Sequence, residues 1–192
     1  MNIHNVENKH ESEKVWDLFI RLFHVLLIGS IGFAWWSAEQ GGDWMEWHLR
    51  CGYLIIVLIT ARITWGFIGS FHARFKNFVA SPSRTASYTQ QLTNGSAPTF
   101  KGHNPLGGWM VLLLLGLCLL QGISGLFSND DIFTEGPLVA WISYDLSLEI
   151  TQWHKSLFNI LLGAIGLHIS GVLFHQLVKK EKLIQAMFHG RK

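Results

Sequence analysis

The chain has 192 residues, 49% hydrophobic, 13% aromatic and 15% charged, with a formal net charge of +2. This is apolar and charge-poor beside an ordinary soluble domain, so the expected environment is a lipid bilayer, and no nucleic-acid partner is expected.

Met1 to Lys14 is polar and runs into an apolar segment of full membrane length with no small-residue cleavage site, so the first span is expected to be retained rather than removed as a signal. Four windows reach the length of about 20 residues that crosses a hydrocarbon core: 15–37, 46–68, 105–127 and 149–178. They predict an all-α fold, a transmembrane four-helix bundle forming one membrane domain over residues 1–192. The first span opens VWDLFIRLFH, where Asp17 and Arg21 stand at i and i+4 and are expected to pair. The second ends TARITWGFIGS, with Arg62 about one turn from the boundary and within snorkelling reach of headgroups. Residues 70–102 hold Pro82, Gly95, Pro98 and several Ser and Thr, which predicts an irregular loop with a short interfacial helix near 71–79. In GHNPLGG, Asn104 can cap the third span and Pro105 can take its first helical position. That span has no histidine and is expected to supply packing.

Orientation follows the Lys/Arg bias of the short loops. Arg74, Lys76, Arg84 and Lys101 lie between spans two and three, and Lys179, Lys180, Lys182, Arg191 and Lys192 follow span four. Both termini are therefore expected in the cytoplasm of a multi-pass protein of the bacterial inner membrane. The opposite loops carry Glu39, Asp43 and Glu46, then Asp130, Asp131, Glu135, Asp145 and Glu149. Trp35, Trp36, Trp44, Trp47, Trp141 and Trp153 crowd the same boundary as an aromatic belt.

Against this background four histidines stand inside apolar stretches: His24, His48, His154 and His168. Ionisable groups at membrane depth are costly and mark function by default. His154 and His168 are separated by 168 − 154 = 14 residues, close to four helical turns, so both imidazoles point one way about 21 Å apart. Counted from the outer span ends, His48 and His154 fall at matched depth, and His24 and His168 within the error of the boundaries. His175, seven residues beyond His168, competes for the inner position but is placed deeper, at the inner interface. His4, His10, His72, His103 and His189 fall in tails or loops and are expected to be solvated.

Two facing histidines at one depth suit low-spin b-type haem, whose iron takes two axial nitrogens and then serves outer-sphere electron transfer. Zinc or copper fits less well, because paired histidines without a carboxylate or thiolate do not close a tetrahedral site. A haem propionate is then a second candidate partner for Arg62. Cys51 and Cys118 lie apart in different spans with no C-x-x-C-H sequence, so neither a disulfide nor covalently attached haem is expected.

The sequences VWDLFIRLFH, WHLRCGY, RITWGFIGSFHARF, GHNPLGG and WHKSLFNILLGAIGLH resemble the prokaryotic cytochrome b561 family, related to the b-type cytochrome subunits of nickel-iron hydrogenases, over about residues 15–178. The resemblance implies two non-covalent haems b, with His24 and His168 on the inner iron and His48 and His154 on the outer. It also implies a quinone or quinol partner on one side and a redox protein on the other. The expected function is electron transfer across the bilayer between the quinone pool and a periplasmic partner such as a basic c-type cytochrome. Quinone oxidoreductase activity is the enzymatic form of that expectation, and oligomers are allowed. The alternatives are the membrane anchor of a hydrogenase- or dehydrogenase-type complex, oxidation of a small species at the outer haem edge, and a haem or metal carrier. Asp17, His103 and Glu149 are the candidates for proton handling.

Overall fold

The computed structural model describes residues 15–132 and 134–191; His4 and His10 lie outside them. Among the described residues seven α-helices follow one another: α1 (Leu18–Gln40), α2 (Trp44–Ile68), α3 (Phe75–Phe78), α4 (Pro82–Thr93), α5 (Pro105–Leu126), α6 (Tyr144–Leu177) and α7 (Leu183–His189). Of these α1, α2, α5 and α6 are long and apolar enough to cross a membrane. No strand forms among the described residues beyond an isolated bridge between Asn129 and Glu135.

The helix ends are set by caps rather than by hydropathy, which explains where they depart from the expected spans. α1 begins after Asp17, whose Oδ1 accepts from the Ile20 N–H at 2.8 Å. α5 begins as expected, with Asn104 Oδ1 accepting from the Gly107 N–H at 2.7 Å and Pro105 at the first position. α6 starts five residues before 149 because the Ser143 hydroxyl accepts from the Leu146 N–H. Gly41 and Gly42 take φ of 64° and 54°, a region open to glycine, and turn α1 directly into α2.

Two polar segments expected to be irregular or solvated are structured. The 70–102 connection contains α4, capped by Ser81 with Pro82 in its first turn, and Tyr88 is its buried residue. The C-terminal tail folds back as α7. Val15 and Trp16 donate their N–H groups to the Gly190 carbonyl at 2.9 and 3.2 Å, and Val15, Trp16, Ile20, Ala73 and Ala186 bury one another. Val15, Trp16 and α7 therefore meet at one end of the bundle, the proximal end; the α1–α2 turn and the α5–α6 loop form the distal end.

The expected Asp17–Arg21 pair gives way to longer-range partners. Arg21 donates to the carbonyls of Met187 and Phe188, completing the end of α7, while Asp17 Oδ2 accepts from Trp65 Nε1 at 2.9 Å and from the Ser70 hydroxyl. Burial alone would raise the Asp17 pKa, but the bonds from Ser70, Ile20 and Trp65 and the charge of Arg62 outweigh it and hold the carboxyl below its ordinary value. A depressed carboxylate stabilises the fold above its unfolded pKa of about 3.9, and that contribution disappears as pH falls through the lower folded value. Asp17→Ala is accordingly expected to lower thermal stability in detergent by about 1 kcal/mol at neutral pH and to flatten the acid limb of the stability profile.

α1 packs on α2, α2 on α5 and α5 on α6, whereas α6 stands off from α1 and α2. Phe23, Ile59, Leu115, Cys118 and Leu161 form the central core. The outward faces expose Leu22, Val25, Ile28, Val57, Ile160 and Leu167, as a lipid-facing surface requires. In lipid such a bundle is held by close packing rather than by exclusion of water.

Candidate functional site

The fold brings the four singled-out histidines together in two pairs. His24 on α1 and His168 on α6 have ring centroids 6.3 Å apart, and His48 on α2 and His154 on α6 have theirs 6.0 Å apart. Both pairs bridge the gap where α6 stands off from the α1–α2 hairpin. An imidazole nitrogen lies about 1.1 Å from its ring centre and bonds a metal at about 2.0 Å, so two rings on opposite sides of one ion stand about 6.2 Å apart. The observed separations fit that value. Among the described residues no group of three or more His, Cys, Asp or Glu converges as ligands, so each site offers two nitrogens and no more.

Leu161 is the midpoint of the shared helix, seven residues from each histidine, and is 2% exposed. It separates the two levels with the side chains packed around it. His48 lies four residues into α2 and His154 ten into α6, about 6 and 15 Å from those ends. The pair meets because α6 extends beyond the start of α2.

The partners around the distal pair orient it. His48 Nδ1 lies 2.9 Å from the Ala34 carbonyl, which accepts the Nδ1 proton and leaves Nε2 with its lone pair toward His154. His154 Nδ1 lies 2.9 Å from the Ser124 hydroxyl, and its Nε2 lies 3.1 Å from Gln121 Nε2. Gln121 Oε1 is buried with no hydrogen-bond partner. A ligand role for His154 Nε2 requires the Gln121 side chain to swing aside. Gly125 leaves room for the imidazole: a Cβ there would lie 3.2 Å from His154 Cε1. The third span was expected only to pack, yet Gln121 and Ser124, two polar residues three apart on an apolar helix, were a legible signal of such a role.

At the proximal level the structure separates His168 from His175. His175 Nδ1 lies 3.2 Å from Glu181 Oε1 and its Nε2 lies 3.1 Å from Asn104 Nδ2, tying α6 to the start of α5. His168 is the ring that meets His24.

Two expectations for the proximal end are corrected. Arg62 does not snorkel: it is 3% exposed, its guanidinium carbon lies 5.4 Å from the Phe75 ring centroid, and its Nη1 is buried without a hydrogen-bond partner. His103 is not solvated but wedged between Trp16 and Phe78, with centroid distances of 4.7 and 4.6 Å, and its Nδ1 is also buried without a partner. Burial first, then the charge of Arg62 and the neighbouring histidines, pushes its pKa down to about 3, so the ring is neutral at physiological pH. Neither position betrays this in sequence, because the contacts come from residues far along the chain.

The four long apolar helices suit a multi-pass helical membrane protein. A family model, prokaryotic cytochrome b561, matches residues 15–190, and the chain belongs to that family. The family implies b-type haem and electron transport. A probable superoxide oxidase CybB of Yersinia pestis is 24% identical over 85% of this chain and 90% of its own length. Probable Ni/Fe-hydrogenase B-type cytochrome subunits of Rhizobium leguminosarum bv. viciae and Azotobacter vinelandii are 22% and 21% identical, over 76% and 74% of this chain. The matches span only 66% and 65% of the length of those two subunits. No solved structure matches the chain.

Proposed function

We propose that this chain is a single-domain, di-haem b-type cytochrome of the bacterial inner membrane that carries electrons between the quinone pool and a periplasmic redox partner. The observation that carries it is the pair of histidine couples at 6.3 and 6.0 Å, stacked along α6. His24 and His168 would hold the proximal haem iron, and His48 and His154 the distal. When bound, the haems supply one-electron chemistry with both axial positions filled. The protein's own part is to fix the two rings of each pair, set His48 through Ala34 and exclude water with the core around Leu161. The Lys and Arg of the proximal connections favour a cytoplasmic location for that end.

A reduced-minus-oxidised spectrum of the purified protein, with a pyridine haemochrome assay, is expected to give two low-spin haems b per chain. One haem or none defeats the di-haem reading. For the periplasmic partner, the acidic distal loops favour a basic c-type cytochrome by charge complementarity. Electron exchange with such a cytochrome is expected to slow steeply as salt rises from low to physiological strength; a flat response removes that partner.

The likeness to a superoxide oxidase over 90% of that protein's length favours a second reading, in which the distal haem edge oxidises superoxide and quinone receives the electrons. It requires rapid haem reduction by superoxide without any added protein. The hydrogenase-subunit relatives support an anchoring role in a larger complex, for which a stable copurifying partner is the test.

A further inference from the structure

Arg62 is the group for which the packing gives least return. It is 3% exposed inside the bundle, and its Nη1 is buried without a hydrogen-bond partner. A cation in that setting is strongly destabilising unless an anion meets it. Asp17, whose carboxyl feels the charge of Arg62, makes its hydrogen bonds to the Ile20 N–H, Trp65 Nε1 and the Ser70 hydroxyl instead.

The register of α2 shows where Arg62 points. His48 faces His154 across the opening beside α6, and Arg62 follows His48 by 62 − 48 = 14 residues, the same interval that separates His168 from His154. By register Arg62 therefore lies near the His48 face of α2, about 21 Å further along, at the level of the proximal pair. Depth agrees: His24 is six residues from the proximal end of α1 and Arg62 six from the proximal end of α2, about 9 Å each. Since α1 and α6 supply the two rings, α2 approaches the space between them from the side. His103 comes in from just before α5 with a second buried and unpartnered atom, Nδ1, and packs on Phe78, which meets the Phe75 ring beside Arg62. Phe75 and Phe78 pack under these groups, and Gly66 exists as glycine because a Cβ there would lie 2.1 Å from the Phe75 ring.

We infer that Arg62 and His103 form a seat for the carboxylates of the haem bound between His24 and His168, Arg62 as the charged fork and His103 as a neutral N–H donor. The inference rests on the di-haem reading above. It explains two orphaned polar atoms at once and fixes the haem's rotation about its axial bonds, with the carboxylate edge toward the proximal end. The seat also sets potential. Ferric haem carries one more positive charge than ferrous, so a nearby guanidinium favours the reduced form, and its removal leaves the carboxylates to favour the oxidised one.

The experiment is a redox titration of wild type, Arg62→Met, Arg62→Lys and His103→Leu, with haem content measured on the same samples. Arg62→Met is expected either to lose one haem of the two, or to keep both and lower one midpoint by at least tenfold in the reduction equilibrium, 59 mV for one electron, leaving the other unmoved. Arg62→Lys keeps the charge without the fork and is expected to fall between. His103→Leu is expected to shift the same midpoint in the same direction by less. A second probe removes the carboxylates instead: on reconstitution with haem dimethyl ester, wild type loses its advantage over Arg62→Met at that site. Two haems with both midpoints unmoved in Arg62→Met, or a preference for free haem that survives the substitution, overturns the seat alone. A wild type without haem on His24 and His168 overturns the di-haem reading first, and the seat with it.

Discussion

On the proposed di-haem reading, His168→Ala is expected to reduce the haem-to-polypeptide ratio from about two to about one and to abolish reduction of the remaining haem from the proximal end. The reason is the separation of roles along α6. His168 is the ring that meets His24 at 6.3 Å, and His175, the other histidine near that depth, is held by Asn104 and Glu181 and cannot replace it without breaking the link between α6 and α5. The distal haem should survive, since Leu161 and its neighbours insulate His48 and His154 from the lost site. The two-haem protein and the variant are compared by pyridine haemochrome and by the number of steps in a redox titration. His175→Ala is the matching control: it should keep both haems and lose only thermal stability. Retention of two haems in His168→Ala, or loss of one in His175→Ala, reverses the assignment of the proximal ligand.

Gly125→Val is expected to empty the distal site selectively. A Cβ at 125 already comes to 3.2 Å from His154 Cε1, and a β-branched side chain adds two methyl groups that are stiff about χ1. The neighbouring ring cannot retreat, because Ser124 fixes its Nδ1 from the preceding residue of the same helix. Displaced ligands and their orienting partners typically cost 10–100-fold in metal affinity, so loss of about one haem, with the proximal spectrum intact, is the expected outcome. Gly125→Ala should be milder, broadening or shifting the distal signal without removing it. A Gly125→Val protein with two unperturbed haems would show that His154 is not held where the structure puts it.

The approximate spans and the fourteen-residue interval between His154 and His168 could be read directly from the chain, because hydropathy and helical period are local properties. The capping role of Asn104 and Pro105 was equally local. Tertiary structure decided what depends on residues far apart: that α6 begins beyond the level of His48, that His24 meets His168 while His175 is tied to α5, and that the C-terminal α7 closes on Val15 and Trp16. It also turned Arg62 inward and wedged His103 between Trp16 and Phe78, though one had the sequence context of a snorkelling cation and the other of a solvated loop. Composition states how much of a side chain prefers lipid or water; only the packed neighbours state which groups remain without a partner, and those orphaned groups point to where the cofactor's charge belongs.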